Sequence, residues 1–199
     1  MSIKNEVIKL IVFGGVFGVG SSAIVIQFVS GHFVELYDPT LEEIYTKDIQ
    51  VDGETVKLQI TDTFNSDEYE ALRFLNISMA DGFVLTYSIT SKESLEEIKG
   101  IYEEIYRVKH KNKNEPIPII IVGNKCDLEN EREVTKEEGM NYADNINCPF
   151  IECSAKTNEN INQIFEIITR NILEQKYQRE EEEIWTIKKP KREKGCCVV

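Results

Sequence analysis

Five apolar, β-branched runs recur along this chain at intervals that leave room for helices between them. They span residues 7–13, 56–61, 82–88, 117–122 and 150–153. Apolar residues at helical spacing separate most of these runs, for example at 94–109 and 160–178. Strands that alternate with helices predict an α/β fold, in which helices cover both faces of a mostly parallel sheet.

One pair of strands is predicted to be antiparallel. Residues 43–51 and 55–61 are joined across Asp52-Gly53, a dipeptide typical of tight hairpin turns. The pattern therefore predicts six strands and about five helices, with one antiparallel edge strand. Ligands of such sheets bind at the carboxyl ends of the strands, which is where the polar motifs of this chain fall.

The composition is that of one compact domain. The chain has 199 residues, of which 41% are hydrophobic, and it contains no internal repeat. A net charge of −12 excludes a general affinity for nucleic acid. We expect neither a signal peptide nor a membrane span. Cys126, Cys148 and Cys153 belong to no even disulfide framework, so we expect a reducing, cytosolic environment.

A glycine-rich segment follows the first apolar run. Gly15, Gly20 and Ser22 match the phosphate-binding pattern G-x-x-x-x-G-K-[ST], in which main-chain N–H groups and the start of a helix surround a phosphate. The lysine of that pattern is replaced by Ser21, which is short and uncharged. Taken alone, the segment is about equally consistent with a tight strand-to-helix turn that requires glycine.

Four further motifs follow in order along the chain. They are Thr40 within Tyr37-Asp38-Pro39-Thr40, then Asp62-Thr63, Asn124-Lys125-Cys126-Asp127 and Ser154-Ala155-Lys156. Together with the glycine-rich loop they resemble the guanine-nucleotide-binding domain of Ras-family small GTPases, over essentially the whole chain. Residues 32–40 and the final Cys196-Cys197-Val198-Val199 resemble the Ras branch itself. The resemblance implies a three-layer P-loop G domain that binds GTP or GDP with Mg²⁺.

The resemblance assigns the phosphate and metal side of the site. It implies that Ser22 and Thr40 are Mg²⁺ ligands and that Asp62 holds the metal through water. A serine at position 22 would by itself serve equally well as a helix N-cap, but its spacing with Thr40 and Asp62 favours the metal. The residues implied to contact the phosphates are Gly15, Gly18, Val19, Gly20, Ser21, Ser22, Asp62, Thr63 and Asn65.

The same resemblance assigns the guanine side. Asp127 is implied to accept hydrogen bonds from N1 and the exocyclic amine of guanine, which adenine cannot supply. Asn124 steadies the loops, the stem of Lys125 packs over the base, and main-chain N–H groups of Ser154-Ala155-Lys156 reach the guanine O6. Phe33 matches an aromatic residue near the base, although a phenylalanine taken alone is more often part of a core. We therefore predict a guanine-selective pocket.

Five features of the phosphate side depart from the Ras pattern. Ser21 replaces the lysine, Gly14-Gly15 adds one residue before the loop, and Phe17 stands where Ras proteins usually have glycine. Asn65 replaces a glycine, and Ser66 replaces the glutamine that orients the attacking water. Since positioning and charge stabilisation supply most of the catalysis of phosphoryl transfer, the sequence predicts usable GTP binding and slow hydrolysis to GDP and phosphate.

An acidic segment resembles the effector loop of Ras proteins, to which partners add a strand. It also fits an ordinary edge strand whose charges prevent aggregation. The resemblance favours a surface for effector proteins, with exchange factors and activating proteins as further partners. Ile44 departs from the usual small polar residue. The segment comprises Tyr37, Asp38, Pro39, Thr40, Leu41, Glu42, Glu43, Ile44 and Tyr45.

The end of the chain fits a prenylated tail. Cys196 begins a C-a-a-X box and would carry the lipid. Basic residues before it would supply a second attachment signal by attracting anionic lipid. We expect residues 1–179 to form the G domain and 180–199 a flexible tail that anchors the protein at the cytoplasmic face of the plasma membrane. The basic residues are Lys188, Lys189, Lys191, Arg192 and Lys194.

Two alternatives to a membrane-anchored switch with slow hydrolysis stay open at this point. One is a competent small GTPase, in which neighbouring groups compensate for the missing lysine and glutamine. The other is a pseudo-GTPase, a nucleotide-independent interaction module on the same fold. Ser21 favours the pseudo-GTPase, whereas the complete motif from Asn124 to Asp127 has no use without a nucleotide.

Overall fold

The computed structural model describes residues 7–15, 18–34, 42–63, 70–112 and 115–188. In chain order the elements are β1 (Val7–Gly14), α1 (Ser21–Ser30), β2 (Glu42–Val51), β3 (Glu54–Thr63), α2 (Glu70–Met79), β4 (Gly82–Ser88), α3 (Lys92–Val108), β5 (Ile119–Asn124), a 3₁₀ turn (Glu129–Glu131), α4 (Lys136–Asn145), β6 (Phe150–Glu152) and α5 (Ile161–Lys188).

The strands form one sheet in the order β2-β3-β1-β4-β5-β6. β2 is antiparallel to β3, and every other neighbouring pair is parallel. The predicted α/β fold, with six strands, five helices and one antiparallel edge strand, is therefore confirmed. Because the parallel strands run the same way, the segments that follow β1, β3 and β5 meet at one edge of the sheet.

The hairpin between β2 and β3 forms at the predicted dipeptide. Asp52 and Gly53 have φ angles of 51° and 86°, as a two-residue turn of the primed type requires. Arg170 of α5 donates hydrogen bonds to both carboxylate oxygens of Asp52, at 2.9 and 3.0 Å. The turn is thereby held against the helix that closes the fold.

The core consists of two apolar layers, one on each face of the sheet. In β1, Leu10 and Val12 belong to one layer, whereas Ile11 and Phe13 belong to the other. Both faces of this strand are buried, which explains why its sequence is a continuous apolar run rather than an alternating one. The first layer includes α1 and α5, whose Phe28 and Phe165 rings stack with centroids 3.8 Å apart. The second includes α3.

Two of the boundaries that differ from the sequence prediction have a clear physical cause. β5 begins at Ile119 rather than at 117, because Pro118 has no N–H to donate; its carbonyl still accepts a hydrogen bond from Phe83 N at 2.9 Å. α5 continues to Lys188 instead of ending at 178, since the glutamate-rich segment lacks apolar periodicity but favours helix. The division of the chain between 179 and 180 stays a prediction. None of the helices in the described ranges is both long and apolar enough to cross a membrane.

Candidate functional site

The glycine-rich loop lies between the end of β1 and the start of α1. β1 includes Gly14, so the additional residue is taken up by the strand, and the loop begins at Gly15 as the phosphate-binding pattern requires. Gly20 has a φ of 87°, and a Cβ at this position would lie 2.5 Å from Asn124 Nδ2. Both its left-handed backbone and this close approach require glycine at position 20.

The first turn of α1 provides main-chain N–H groups for an anion. Gly20 is the N-cap, and no side chain caps the helix within the described residues. An N-terminus of this kind is suited to a phosphate group, because its free N–H groups and the helix dipole both favour negative charge. Ser22 lies inside the helix, so the alternative of Ser22 as N-cap is wrong.

Ser22 instead forms a hydrogen bond to Asp62 at the end of β3. Asp62 is 5% exposed, and burial raises the pKa of its carboxyl to about 6. The Ser22 hydroxyl opposes this shift, while the negative charge of Glu43, its partner across the β2–β3 ladder, adds to it. A buried carboxylate beside a serine hydroxyl suits a divalent cation, so these two residues fit Mg²⁺. Thr63, which follows Asp62, is also buried.

Ser21 occupies the first position of α1, directly after Gly20. Its hydroxyl packs against the end of β1, since a Cβ placed on Gly14 would lie 2.5 Å from Ser21 Oγ. The side chain at the lysine position of the pattern is therefore a small, half-buried hydroxyl. It brings no positive charge to the loop.

Asn124, at the end of β5, links the phosphate side of the site to the guanine side. Its Nδ2 donates a hydrogen bond to Val19 O at 2.8 Å. Its Oδ1 accepts from Ala155 N at 3.2 Å and from Cys153 Sγ at 3.5 Å. The side chain is 2% exposed and bonded at both ends, so it steadies three segments, as predicted.

Asp127 and Ser154 are also brought together. Ser154 Oγ donates to Asp127 Oδ1 at 2.6 Å and accepts from Thr157 N at 3.0 Å. Asp127 is exposed. Lys125 precedes it with a φ of 68°, a left-handed conformation that is strained for lysine and turns the chain sharply after β5.

The other residues predicted on the guanine side differ in their exposure. Ala155 is buried, whereas Lys156 is exposed. Phe33 is 40% exposed, so it is not a core residue and its ring is accessible.

Cys126, Cys148 and Cys153 are free thiols, as predicted. Burial raises the pKa of the Cys126 thiol to about 11, which leaves it protonated near neutral pH.

Two charged residues at the site were missed by sequence reasoning. Arg132 donates to both carboxylate oxygens of Glu152, at 2.7 and 3.1 Å, and also pairs with Glu129. Arg132 thus connects the loop that follows β5 with strand β6. Glu97 of α3 reaches the glycine-rich loop, where a Cβ on Gly15 would collide with Glu97 Oε2. The i,i+3 spacing of Glu129 and Arg132 was a visible signal, but nothing in the sequence pointed to Glu97.

Several predicted residues lie outside the described part of the chain. They are Phe17, Thr40, Asn65, Ser66 and Cys196, the effector-loop residues Tyr37, Asp38, Pro39 and Leu41, and the tail residues Lys189, Lys191, Arg192 and Lys194. The rest of the effector segment belongs to the edge strand β2. There Ile44 is 57% exposed, and Tyr45 donates a hydrogen bond to Glu43. Glu42 begins the strand.

Comparison with known proteins agrees with this arrangement. A model of the Ras family matches residues 9–174, a range that contains the glycine-rich loop, Asp62, Asn124, Asp127 and Ser154. The chain is also similar to the Ras-like protein rasB of Dictyostelium discoideum. The two are 47% identical over 172 residues, which cover 86% of this chain and 85% of that protein.

Proposed function

Because the chain belongs to the Ras family, we propose that it is a GTP-dependent signalling switch with slow GTP hydrolysis, held at the cytoplasmic face of the plasma membrane. Family membership implies binding of guanine nucleotides. The finer proposal concerns the rate of hydrolysis, the anchor and the partners. The proposal of slow hydrolysis rests on Ser21.

Nucleotide binding is supported by the site as a whole. Asp127, Lys125 and the Ser154-Ala155-Lys156 segment would hold guanine, and the uncapped first turn of α1 would hold the phosphates. Ser22 and Asp62, together with Thr40, would hold Mg²⁺, which when bound offsets phosphate charge. The buried Asn124 bond to Val19 supports a nucleotide site over a nucleotide-independent module, because it fixes the phosphate loop against the guanine loop.

Slow hydrolysis follows from what the loop lacks. A charged hydrogen bond contributes about 1.5–3 kcal/mol, so its loss at Ser21 would weaken nucleotide binding by about one to two powers of ten. Catalysis is affected more, since it depends on the positioning of water and on stabilisation of phosphoryl charge. Ser66 is too short to orient the water, Phe17 would obstruct an arginine from an activating protein, and Asn65 replaces a glycine.

Single-turnover hydrolysis of pre-loaded GTP tests this part of the proposal. The unmutated protein should hydrolyse GTP more slowly than an ordinary Ras protein and respond little to an activating protein. Ser21→Lys should chiefly tighten nucleotide binding, whereas Phe17→Gly and Ser66→Gln together should be needed to raise the rate. Because these residues act on one transition state, their effects should be non-additive.

Two outcomes would favour the alternatives. Hydrolysis at an ordinary Ras rate by the unmutated protein would mean that neighbouring groups compensate for Ser21 and Ser66. Failure of either GDP or GTP to co-purify or to bind would favour the pseudo-GTPase. Quantifying the nucleotide released from the purified, denatured protein separates these cases before any kinetic experiment.

The partners and location belong to the same proposal. β2 is an edge strand that carries Glu43 and the exposed Ile44, so its free edge is suited to an effector that adds a strand. Exchange factors and activating proteins are proposed on family grounds. The terminal Cys196 and the basic residues before it support lipid anchoring.

A further inference from the structure

A cationic pocket lies at the edge of the sheet opposite the nucleotide site. It has a volume of about 300 Å³ and lies between the C-terminal ends of α2 and α3, the segments that enter β4 and β5, and one face of α5. Within the described part of the chain, Asp81 is its only acidic lining residue. The basic lining residues are Lys109, Lys111, Lys176 and Arg179. Such a concentration of positive charge contrasts with a chain whose net charge is −12.

The negative charge of Asp81 is already engaged. Its Oδ1 lies 3.2 Å from Lys176 Nζ, and its Oδ2 accepts a hydrogen bond from Lys9 N at 2.8 Å. Glu115, whose charge acts on Lys111, accepts from Asn112 Nδ2 at 3.3 Å. A hydrogen bond from a neutral amide leaves the charge of Glu115 in place, so the four cations exceed Asp81 and Glu115 by two positive charges.

The lysines keep charge or donors for a ligand after their protein contacts are counted. Lys109 Nζ donates to Ala80 O at 2.6 Å and to Ser78 O at 3.0 Å, and it lies 5.7 Å from the centre of the Phe83 ring, so it offers a ligand chiefly its charge. Lys111 Nζ makes a longer contact of 3.4 Å with Pro116 O. The carbonyl contacts of Lys109 at the end of α2 stabilise that helix end, whereas the single carbonyl contact of Lys111 leaves it further donors.

The positive charges in the pocket also repel one another. Burial lowers the pKa of Lys109; the charges of Lys111 and Arg179 lower it further, while Asp81 opposes the shift. Burial likewise lowers the pKa of Lys111, with Arg179 adding to the effect and Glu115 opposing it. An anion placed among these groups would relieve the repulsion.

A buried polar group points to the same conclusion. Gln175 lines the pocket, and its side-chain Oε1 is buried without a hydrogen-bond partner among the described residues. Rotation of the amide exchanges its oxygen and nitrogen. The NH₂ group can then donate to an anion, which would satisfy a buried polar group that otherwise costs free energy.

We infer that this pocket binds the phosphate groups of a small phosphorylated ligand. Its volume is at the lower end of the range for ligand pockets, so the ligand is the size of a phosphorylated sugar or inositol. Two sources share this chemistry: the head group of a phosphoinositide in a membrane and a soluble phosphorylated metabolite. The inference does not depend on the rate of GTP hydrolysis.

Titration calorimetry with inositol trisphosphate tests the inference on the full chain, with excess GDP and Mg²⁺ to occupy the nucleotide site. The double substitution Lys111→Gln with Arg179→Gln should weaken binding about tenfold or more, because charged hydrogen bonds are lost. Lys92→Gln with Lys136→Gln, which removes the same charge from exposed positions outside the pocket, should change affinity less than about twofold. Lys191→Gln with Lys194→Gln serves as the control for the basic tail.

The unmutated protein gives an independent readout. Addition of inositol trisphosphate should shift the NMR signals of the Gln175 side-chain amide, whether or not any variant folds. Absence of binding, or equal weakening by the pocket, surface and tail substitutions, would overturn the inference.

Vesicle sedimentation then separates the two sources. Phosphatidylcholine vesicles with phosphatidylinositol bisphosphate are compared with vesicles in which phosphatidylserine supplies the same charge. A preference for the phosphoinositide that the pocket substitutions abolish would identify a lipid head group. Binding of the soluble probe without such a preference would identify a soluble ligand.

Discussion

The side-chain nitrogen of Asn124 donates a hydrogen bond to the main-chain oxygen of Val19 at 2.8 Å, between residues 105 positions apart in the chain. The same side chain accepts a hydrogen bond from Ala155 N. One buried amide thus holds the phosphate loop and both guanine loops in a fixed relation. We therefore expect a displacement of the glycine-rich loop to change the positions of the loops that follow β5 and β6.

Replacement of Asn124 should reduce both stability and affinity. Asn124→Ala leaves the buried Val19 O and Ala155 N without their partner, so the free energy of unfolding should fall by about 2–4 kcal/mol. Release of GDP should become faster. Denaturant titration and the dissociation of a fluorescent GDP analogue measure the two effects. Asn162→Ala, at an exposed position of α5, is the control, and an equal effect of both changes would contradict the role of the amide.

Gly20→Ala should be more harmful than Gly31→Ala. Both glycines have left-handed backbones, with φ angles of 87° and 72°, so both substitutions should cost about 1–2 kcal/mol in backbone strain. Only at Gly20 would the added Cβ meet Asn124 Nδ2; at Gly31 nothing lies within 4 Å. The difference between their unfolding free energies measures the contact. Equal losses would show that backbone strain alone requires glycine at position 20.

Asp127 should determine the base. Asp127→Asn replaces one acceptor oxygen by a donor, so the variant should bind GTP more weakly and shift its preference toward xanthine nucleotides. Competition titrations with GTP, xanthosine triphosphate and ATP measure this preference. Asp144→Asn, an exposed change on α4, should leave it unaltered. If ATP competes as well as GTP on the unmutated protein, the guanine assignment of Asp127 fails.

The two terminal cysteines should differ in their effect on membrane attachment. Cys196→Ser removes the proposed lipid and should make the protein soluble, whereas Cys197→Ser should not, because that residue is expected to be removed after prenylation. Neutralising the five basic residues from 188 to 194 should weaken attachment but leave lipidation intact. Cell fractionation with mass spectrometry of the C-terminus checks each variant. An unmodified full-length C-terminus in the native cell would contradict this anchor.

The sequence predicted the fold well because its main signals are local. Runs buried on both faces, such as β1, have continuous apolar character, and Asp52-Gly53 favours one type of turn. The sequence also predicted that the segments after β1, β3 and β5 lie at one edge of the sheet, since segments that follow parallel strands meet there.

Relations between distant side chains could not be predicted in the same way. The contact of Glu97 with Gly15 depends on how α3 packs against β1, and no pattern within either segment encodes it. The requirement for glycine at position 20 likewise depends on the approach of Asn124. The end of α5 was misjudged for another reason, because apolar periodicity reports packing and a solvated helix can continue without it.

The length of α5 has a mechanical consequence for the proposed anchor. Its 28 residues make a rod about 42 Å long, which ends at Lys188. From there to Cys196 the chain can reach at most about 28 Å, even when fully extended. One residue inserted within the outer part of the rod would turn everything beyond it by about 100°. The same insertion after Lys188 would add only about 3.5 Å of reach. We therefore expect the number of residues in the helix to set the point and direction at which the chain leaves α5, whereas the segment after Lys188 sets only how far the proposed lipid can lie from that point.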